Sequence, residues 1–387
     1  MTSSLTILQL LPSLETGGAE RTAIDISRAL VEAGHRSIVA SSGGRLTDEL
    51  LATGAEHVTM PLASKNPLTM AGNARRLVHL IGAEKVDVVH ARSRAPAWSA
   101  WLACRPTGTP WVTTYHGIYS ENGALKRLYN SVMARSDMVI ANSNYTADLI
   151  TTRYGTERER IRVIYRGMDL DGFRREAVGE ERKAALRRQW EVAEDRRVIL
   201  NVARLTGWKG QQVLIDAACR EPIGNRDDLV FILAGDEQGR TGYRRQLQEK
   251  VDAAGAGARI RIVGHCSDVA AALALADVSV VASTLPEAFG RAAVESQALG
   301  VPTVATWIGA APETVLAPPA VGAGERTGWL VPPDDADALA RGIDEALALE
   351  GPQREALAAR ARRQAESFSM DAMCGQTLSL YRDLVRS

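Results

Sequence analysis

Short apolar runs bounded by turn residues recur between helical patterns along the chain, and this repetition constrains the fold more than any other feature. In the first half the runs are residues 5–11, 36–40, 58–60, 86–90, 111–115, 138–142 and 162–165. A polar, charge-dense stretch at 171–197 follows and includes an amphipathic helix around 183–190. The pattern then restarts at 198–203, 229–234, 259–263, 278–282, 302–305 and 328–331. Alternation of this kind predicts βα units on parallel sheets, and its restart predicts two doubly wound α/β domains, 1–170 and 171–369. Helices at 334–349 and 352–367 precede a tail, 370–387, in which Leu378, Tyr381, Leu384 and Val385 have helical spacing. That tail is expected to pack back on the first domain.

A chain of 387 residues suffices for two such domains. With 45% hydrophobic and 24% charged residues it sits near the globular average, which sets aside disorder, collagen and coiled coil. Lys plus Arg equals Asp plus Glu at 46 each, so no global excess of positive charge supports nucleic-acid binding. The balance is uneven: residues 1–170 hold 19 basic and 15 acidic side chains, leaving 27 and 31 for the remainder, so the first half favours an anionic partner. Cys104, Cys219, Cys266 and Cys374 form no CxxC pair, which argues against a disulfide framework or zinc site and suits a reducing compartment. Residues 1–11 lack a signal peptide's basic region and cleavage site, and no run approaches 18 apolar residues, so a soluble or peripheral protein is expected. Only six of the 46 basic residues are Lys, a composition that suits a GC-rich bacterial genome and says nothing about chemistry.

In open α/β sheets ligands sit beyond the carboxyl ends of the strands, so the loops there carry most weight. After the first run come Gly17 and Gly18, then a helix expected from about 21 to 34. Two glycines let a ligand approach a helix N-terminus, where free amides and the dipole favour phosphate. The segment is not GxGxxG, which disfavours an ordinary dinucleotide site; an ordinary βα turn is the plain alternative. His116 follows the run 111–115 and can serve as donor or proton relay, although a lone His is more often structural. His90 also ends a run and is followed by Arg92 and Arg94, an edge that can accept an anion. In the second half Arg204 and Lys209 follow the run 198–203, and two cations at a strand end suit a diphosphate. Gly235 and His265 occupy further strand-end turns that can line a nucleotide pocket. The strongest local signal is Glu287, Phe289, Gly290, Arg291 and Glu295 after the run 278–282. One carboxylate can hold sugar hydroxyls and the other ribose hydroxyls, since a carboxylate accepts from two vicinal hydroxyls at once.

Taken in order, Gly-Gly-Ala-Glu at 17–20, Tyr-His-Gly at 115–117, Ala-Asn-Ser at 141–143, Arg204 with Lys209-Gly210, Ala-Gly-Asp at 234–236, Glu287 to Glu295, Gly309 to Glu313 and Thr-Gly-Trp-Leu-Val at 327–331 resemble family 4 retaining glycosyltransferases of the GT-B fold. The resemblance spans about residues 5 to 350. It implies two Rossmann-like domains facing a central cleft, the first binding acceptor and the second a nucleotide-sugar donor, UDP- or GDP-linked. It implies that Arg204 and Lys209 neutralise the diphosphate, that Glu295 holds the ribose, and that Glu287 with the amides of Phe289, Gly290 and Arg291 holds the sugar. Gly17 and Gly18 would border the phosphate and His116 the sugar near the reacting face. Front-face transfer with retention follows, the departing diphosphate being assisted by positive charge, with no metal and no other cofactor.

Three positions depart from the family pattern: Arg166 where Asn is usual, Met168 where Val is usual, and Ala310 where a second Gly is usual; Ala288 in place of Gly is milder. Asp169 and Asp171 superficially match the Asp-x-Asp of metal-dependent transferases, but they fall at the domain crossover, and that reading is rejected. Arg92, Arg94 and Trp98 are expected at the acceptor edge, together with Arg105 and Trp101. Lys126, Arg127 and Arg135 surround a helix with Leu125, Leu128, Tyr129 and Val132, a pattern that favours an anionic membrane surface. The expected acceptor is a saccharide or lipid-linked saccharide in envelope polysaccharide or lipopolysaccharide synthesis, reached from the cytoplasm. Competing readings are a sugar-nucleotide epimerase on the same fold and a non-catalytic nucleotide-sugar-binding protein.

Overall fold

In the computed structural model, which describes residues 4–239 and 241–386, thirteen strands form two all-parallel sheets. The first contains β1 (Thr6–Leu10), β2 (Arg36–Ser41), β3 (Glu56–Thr59), β4 (Val88–Ala91), β5 (Trp111–Tyr115), β6 (Met138–Ala141) and β7 (Ile161–Val163), in spatial order 3-2-1-4-5-6-7. The second contains β8 (Arg197–Val202), β9 (Leu229–Ala234), β10 (Ile260–Gly264), β11 (Val278–Val281), β12 (Thr303–Thr306) and β13 (Trp329–Val331), in order 10-9-8-11-12-13. Helices cover both faces, which is why the central strands read as continuous apolar runs: all six residues of β9 are buried. In each sheet the order reverses next to the first strand, between β1 and β4 and between β8 and β11. A reversal splays the flanking loops apart and opens a crevice at the carboxyl ends. The loops after β1, β4, β8 and β11 are those singled out from the sequence.

The chain divides into two compact units, Met1–Gly167 with Met370–Ser387, and Met168–Ser369. The division falls three residues before the expected boundary at 170/171. Its cause is local: the Gly167 amide meets Met373 Sδ at 3.1 Å, and any Cβ on Gly167 would press against Met370 and Met373, so residue 167 belongs to the first core. Met168 instead donates to the Phe368 carbonyl at 2.9 Å and bridges Ser369. The C-terminal helix Met370–Arg386 packs Met373, Cys374, Leu378, Leu380 and Tyr381 against Ile7, Val88, Val112 and Ile140 of the first sheet. Residues 1–3, Arg240 and Ser387, the last residue of the expected tail, lie outside the described residues.

The first helix runs Gly18–Glu32 rather than 21–34. Gly17 caps it in an extended conformation, φ −77° and ψ 164°, and Gly34 ends the turn beyond it at φ 77°. The two glycines of this loop therefore also start the helix.

Candidate active site

In the first unit, Gly17 offers no capping side chain, so the amides of residues 18–20 precede the first helical bond, which Arg21 makes to the Gly17 carbonyl. Glu20 folds its carboxylate over Gly17, and Arg166 lays its guanidinium over Gly18 so closely that a Cβ there would collide with Nη2. The Asn-to-Arg departure thus fills the space above the glycine loop. His116 leaves the end of β5 beside it; its Nε2 is buried and finds no hydrogen-bond partner among the described residues. Burial, then the charges of Arg92 and Arg166, push the His116 imidazole down to about 3, so it is neutral near pH 7.

Arg92 was expected at an acceptor edge and is instead buried, only 3% exposed. Its Nε donates to Gln9 Oε1 at 2.8 Å, and its buried Nη2 finds no partner among the described residues. The reason is topological: β4 neighbours β1, so a residue just past Ala91 lies inside the strand-order reversal rather than on the surface. Beside it His90 bonds Tyr381 Oη and Thr114 Oγ1, both at 2.6 Å, and burial holds its imidazole well below the ordinary value. Arg92, His116, Asn142 and Arg166 line one small cavity of about 30 Å³.

Arg94 points elsewhere. Its guanidinium stacks 4.5 Å from the Tyr119 ring centroid and donates to Asn130 Oδ1 at 2.9 Å. It lines a pocket of about 650 Å³ with Lys65, Tyr119, Ser120, Lys126 and Tyr129. Trp98 packs against the core and donates its indole N–H to the Tyr129 carbonyl at 3.1 Å. The structure therefore does not bring Arg92, Arg94 and Trp98 to one edge; it buries the first, gives the second a pocket and makes the third a buttress beneath Tyr129. Lys65 was missed, and the only signal in the sequence was its place in the loop following β3.

In the second unit, the loop after β8 carries Arg204 and Lys209. Arg204 is exposed and reaches Gln238 Oε1 at 3.4 Å. Lys209 Nζ lies 2.7 Å from Glu287 Oε1, each side chain 16% exposed, and 4.4 Å over the Trp208 ring. Ser283 donates its hydroxyl to the same carboxylate. Two residues 78 positions apart thus form one largely buried pair beside the strand-order reversal at β8 and β11. Gly210, at φ 70°, and Gly235 leave no room for a Cβ, which would collide with the carbonyls of Ala282 and Ala203 respectively. These contacts hold the two strand-end loops against neighbouring strands. His265 is exposed on the loop after β10.

Gly290 starts the helix Arg291–Ala298 at φ 84°. Glu295 within it is buried and accepts from Arg291 Nη2 at 2.7 Å. Phe289 turns its ring into the core, edge-on to Phe368 at 5.5 Å, so only its backbone remains for a ligand. The Ala310 departure is harmless locally: Ala310 sits at φ −84°, whereas Gly309 takes φ 62° against the Glu287 backbone. Asp169 caps its own turn by accepting from the Asp171 amide at 3.1 Å, and Asp171 pairs with Arg174.

Two Rossmann-like units, each with its loops gathered at a strand-order reversal, give the architecture of the GT-B class. The chain belongs to the family 4 glycosyltransferases: the family described as Glycosyltransferase Family 4 matches residues 16–171, and Glycosyl transferases group 1 matches 182–364. A D-inositol 3-phosphate glycosyltransferase from Geodermatophilus obscurus is 32% identical over 76% of this chain and 66% of its own length. The aligned stretch thus spans just under two thirds of that relative. The crystal structure of a glycosyltransferase from Rickettsia africae has a TM-score of 0.87 at 32% identity, covering all of both chains. HepE of Anabaena, solved in complex with UDP and glucose, has a TM-score of 0.75 at 26% identity, covering 97% of this chain and 99% of its own. No helix among the described residues is long and apolar enough to cross a membrane.

Proposed function

We propose that this enzyme moves a sugar from a nucleoside-diphosphate sugar to a phosphorylated acceptor, with retention of configuration and without a metal. The observation that carries this reading is the pairing of Lys209 with Glu287 at the reversal point of the second sheet. A lysine and a serine hold the carboxylate in one orientation, ready to accept sugar hydroxyls, and a diphosphate would exchange for the carboxylate as the lysine's partner. Arg204 supplies a second, accessible cation. Glu295, fixed by Arg291, would accept the ribose hydroxyls, and the amides at 289–291 would face the sugar. Gly235 and His265 would line the nucleotide. In the first unit Gly17 and Gly18 would border a phosphate, and neutral His116 would exchange hydrogen bonds with a sugar hydroxyl rather than carry charge. UDP bound to HepE supports a uridine-linked donor, with GDP the other candidate.

The acceptor class rests on the pocket of Lys65, Arg94 and Lys126. Among the described residues none of the three joins an ion pair, and no carboxylate lines the pocket. Unpaired cations beside two tyrosines suit a phosphorylated polyol, and the relative named for D-inositol 3-phosphate points the same way. A second reading, a lipid-linked envelope saccharide reached from the cytoplasmic membrane face, is favoured by Leu125 and Leu128, 85% and 53% exposed beside Lys126 and Arg127. Flotation with anionic vesicles separates the two: a soluble phosphorylated acceptor requires no vesicle binding.

A thermal-shift panel of UDP, GDP, ADP and their sugar conjugates tests the donor site, since a ligand of the native state raises the melting temperature. One base should give a selective shift. Lys209→Ala should weaken that nucleotide roughly 10- to 100-fold, the loss of one charge-assisted contact, while Glu287→Ala should abolish transfer and retain nucleotide binding. Unchanged transfer by the Glu287 variant would remove it from the mechanism.

A further inference from the structure

We propose that Arg92 and Asn142 are positioning residues for His116, acting through one buried water that bridges Arg92 Nη2, Asn142 Oδ1 and His116 Nε2. The inference deepens the proposed transfer reaction and rests on its placing of His116 against a sugar hydroxyl. Strands β4, β5 and β6 are neighbours in the first sheet, and Arg92, His116 and Asn142 are the first residues past their carboxyl ends. All three line the same cavity of about 30 Å³. In each, one buried polar atom, Nη2, Nε2 and Oδ1 respectively, finds no hydrogen-bond partner among the described residues. Arg92 and Asn142 are 3% and 6% exposed, so bulk solvent does not answer these atoms. A buried water needs at least about 10–15 Å³ and two to four polar partners, and both conditions are met.

The three atoms fit a water in kind as well as in place. Arg92 Nη2 is a donor. Asn142 Nδ2 donates to the His116 carbonyl at 3.4 Å, which sets the amide and leaves Oδ1 as an acceptor. Burial and the charges of Arg92 and Arg166 keep the imidazole neutral, with one N–H and one lone pair. Nε2 shares its cavity with the Arg92 guanidinium, and positive charge there favours the lone pair over the N–H on Nε2. The water therefore accepts from Arg92 and donates to Asn142 and His116, one donor and two acceptors answered by one molecule. The other polar groups of the wall make no competing demand. Thr22 and Thr377 donate their hydroxyls to the carbonyls of Gly18 and Met373, each at 2.8 Å, and His90 is bonded through both ring nitrogens. With Nε2 accepting, the ring proton resides on Nδ1. His116 is partly exposed, so that N–H is available to the oxygen of a bound sugar hydroxyl.

Long-range proton–nitrogen NMR of the full chain at neutral pH, with labelled histidine rings and the His116 signals assigned by their loss in His116→Asn, reads the tautomer directly. A proton on Nδ1 and none on Nε2 is expected; a proton on Nε2 would overturn the proposal. Arg92→Met removes the cation that orients the water, so the Nε2–H form should appear, and Arg92→Lys should restore the parent tautomer. In turnover with the nucleotide sugar that the shift panel selects, kcat should fall roughly tenfold in Arg92→Met, the worth of one hydrogen bond, with nucleotide affinity unchanged and recovery in Arg92→Lys. An unchanged tautomer and kcat in a folded Arg92→Met protein would overturn the positioning role. Should that variant fail to fold, a high-resolution crystal structure of the parent decides: one water about 2.7–3.2 Å from all three atoms supports the bridge, and direct bonding among the side chains overturns it. A parent with the bridge and the Nδ1–H tautomer that turns over no nucleotide sugar would overturn the transferase reading and leave the water site standing.

Discussion

His116 illustrates how a single side chain is set by its surroundings. Its folded-state pKa of about 3 lies below the ordinary 6.5, so the unfolded chain takes up the proton first. The stability that neutral His116 contributes is complete above pH 6.5 and is lost as pH falls from 6.5 towards 3. Urea midpoints of the parent and of His116→Asn between pH 7.5 and 5 should therefore converge as the pH drops; parallel curves would contradict the assignment. Its imidazole should also leave no inflection in the activity profile between pH 5 and 8. The residue types of the candidate site in the second unit were legible as strand-end cations and acids, because position after a strand is a local property. What each one touches was not: Lys209 and Glu287 meet only because β8 lies beside β11, and Arg92 is buried only because β4 lies beside β1. Adjacency of strands distant in sequence leaves no trace in the spacing of either partner.

The strand-end loops are held by glycines whose roles differ. At Gly210 a Cβ would strike the Ala282 carbonyl in a backbone already at φ 70°, whereas Gly255, at φ 61°, faces open space. Gly210→Ala should therefore cost about 1–3 kcal/mol more than Gly255→Ala by urea unfolding, and it should also weaken nucleotide binding by displacing Lys209. Equal costs would show that the loop can move aside. The C-terminal helix depends on a polar contact as well as an apolar face: Tyr381→Phe leaves His90 Nδ1 without its partner in the core, a loss of about 1–2 kcal/mol. An unchanged midpoint would contradict that account. Each of the thirteen strands was recognisable as an apolar run, with edges shifted by up to two residues; burial on both faces writes hydrophobicity directly into central strands such as β9, whereas the edge strand β3 has no buried residue. The helix at Gly18 began earlier than expected because a glycine cap carries no side-chain signature. The pocket of Lys65, Arg94 and Lys126 draws on segments following three different strands and was not assembled from the sequence.

At the scale of the whole chain, the second unit is an insertion between β7 and the last helix of the first, so residues 370–386 complete a core begun at residue 5. Helical spacing of Leu378 and Tyr381 was enough to expect a packed tail; the position of the crossing at 167/168 depended on Gly167 facing Met373 and is a property of the packed core. The second unit places the Lys209–Glu287 pair at its strand-order reversal, and that pairing is the ground on which sugar transfer is proposed. The decisive measurement is proton NMR of the product formed from the nucleotide sugar selected by the shift panel, offered with inositol phosphate and with inositol. The account predicts a new glycosidic linkage that keeps the donor's anomeric configuration and forms only on the phosphorylated acceptor. An inverted linkage, or release of free or epimerised sugar with no acceptor consumed, would contradict it.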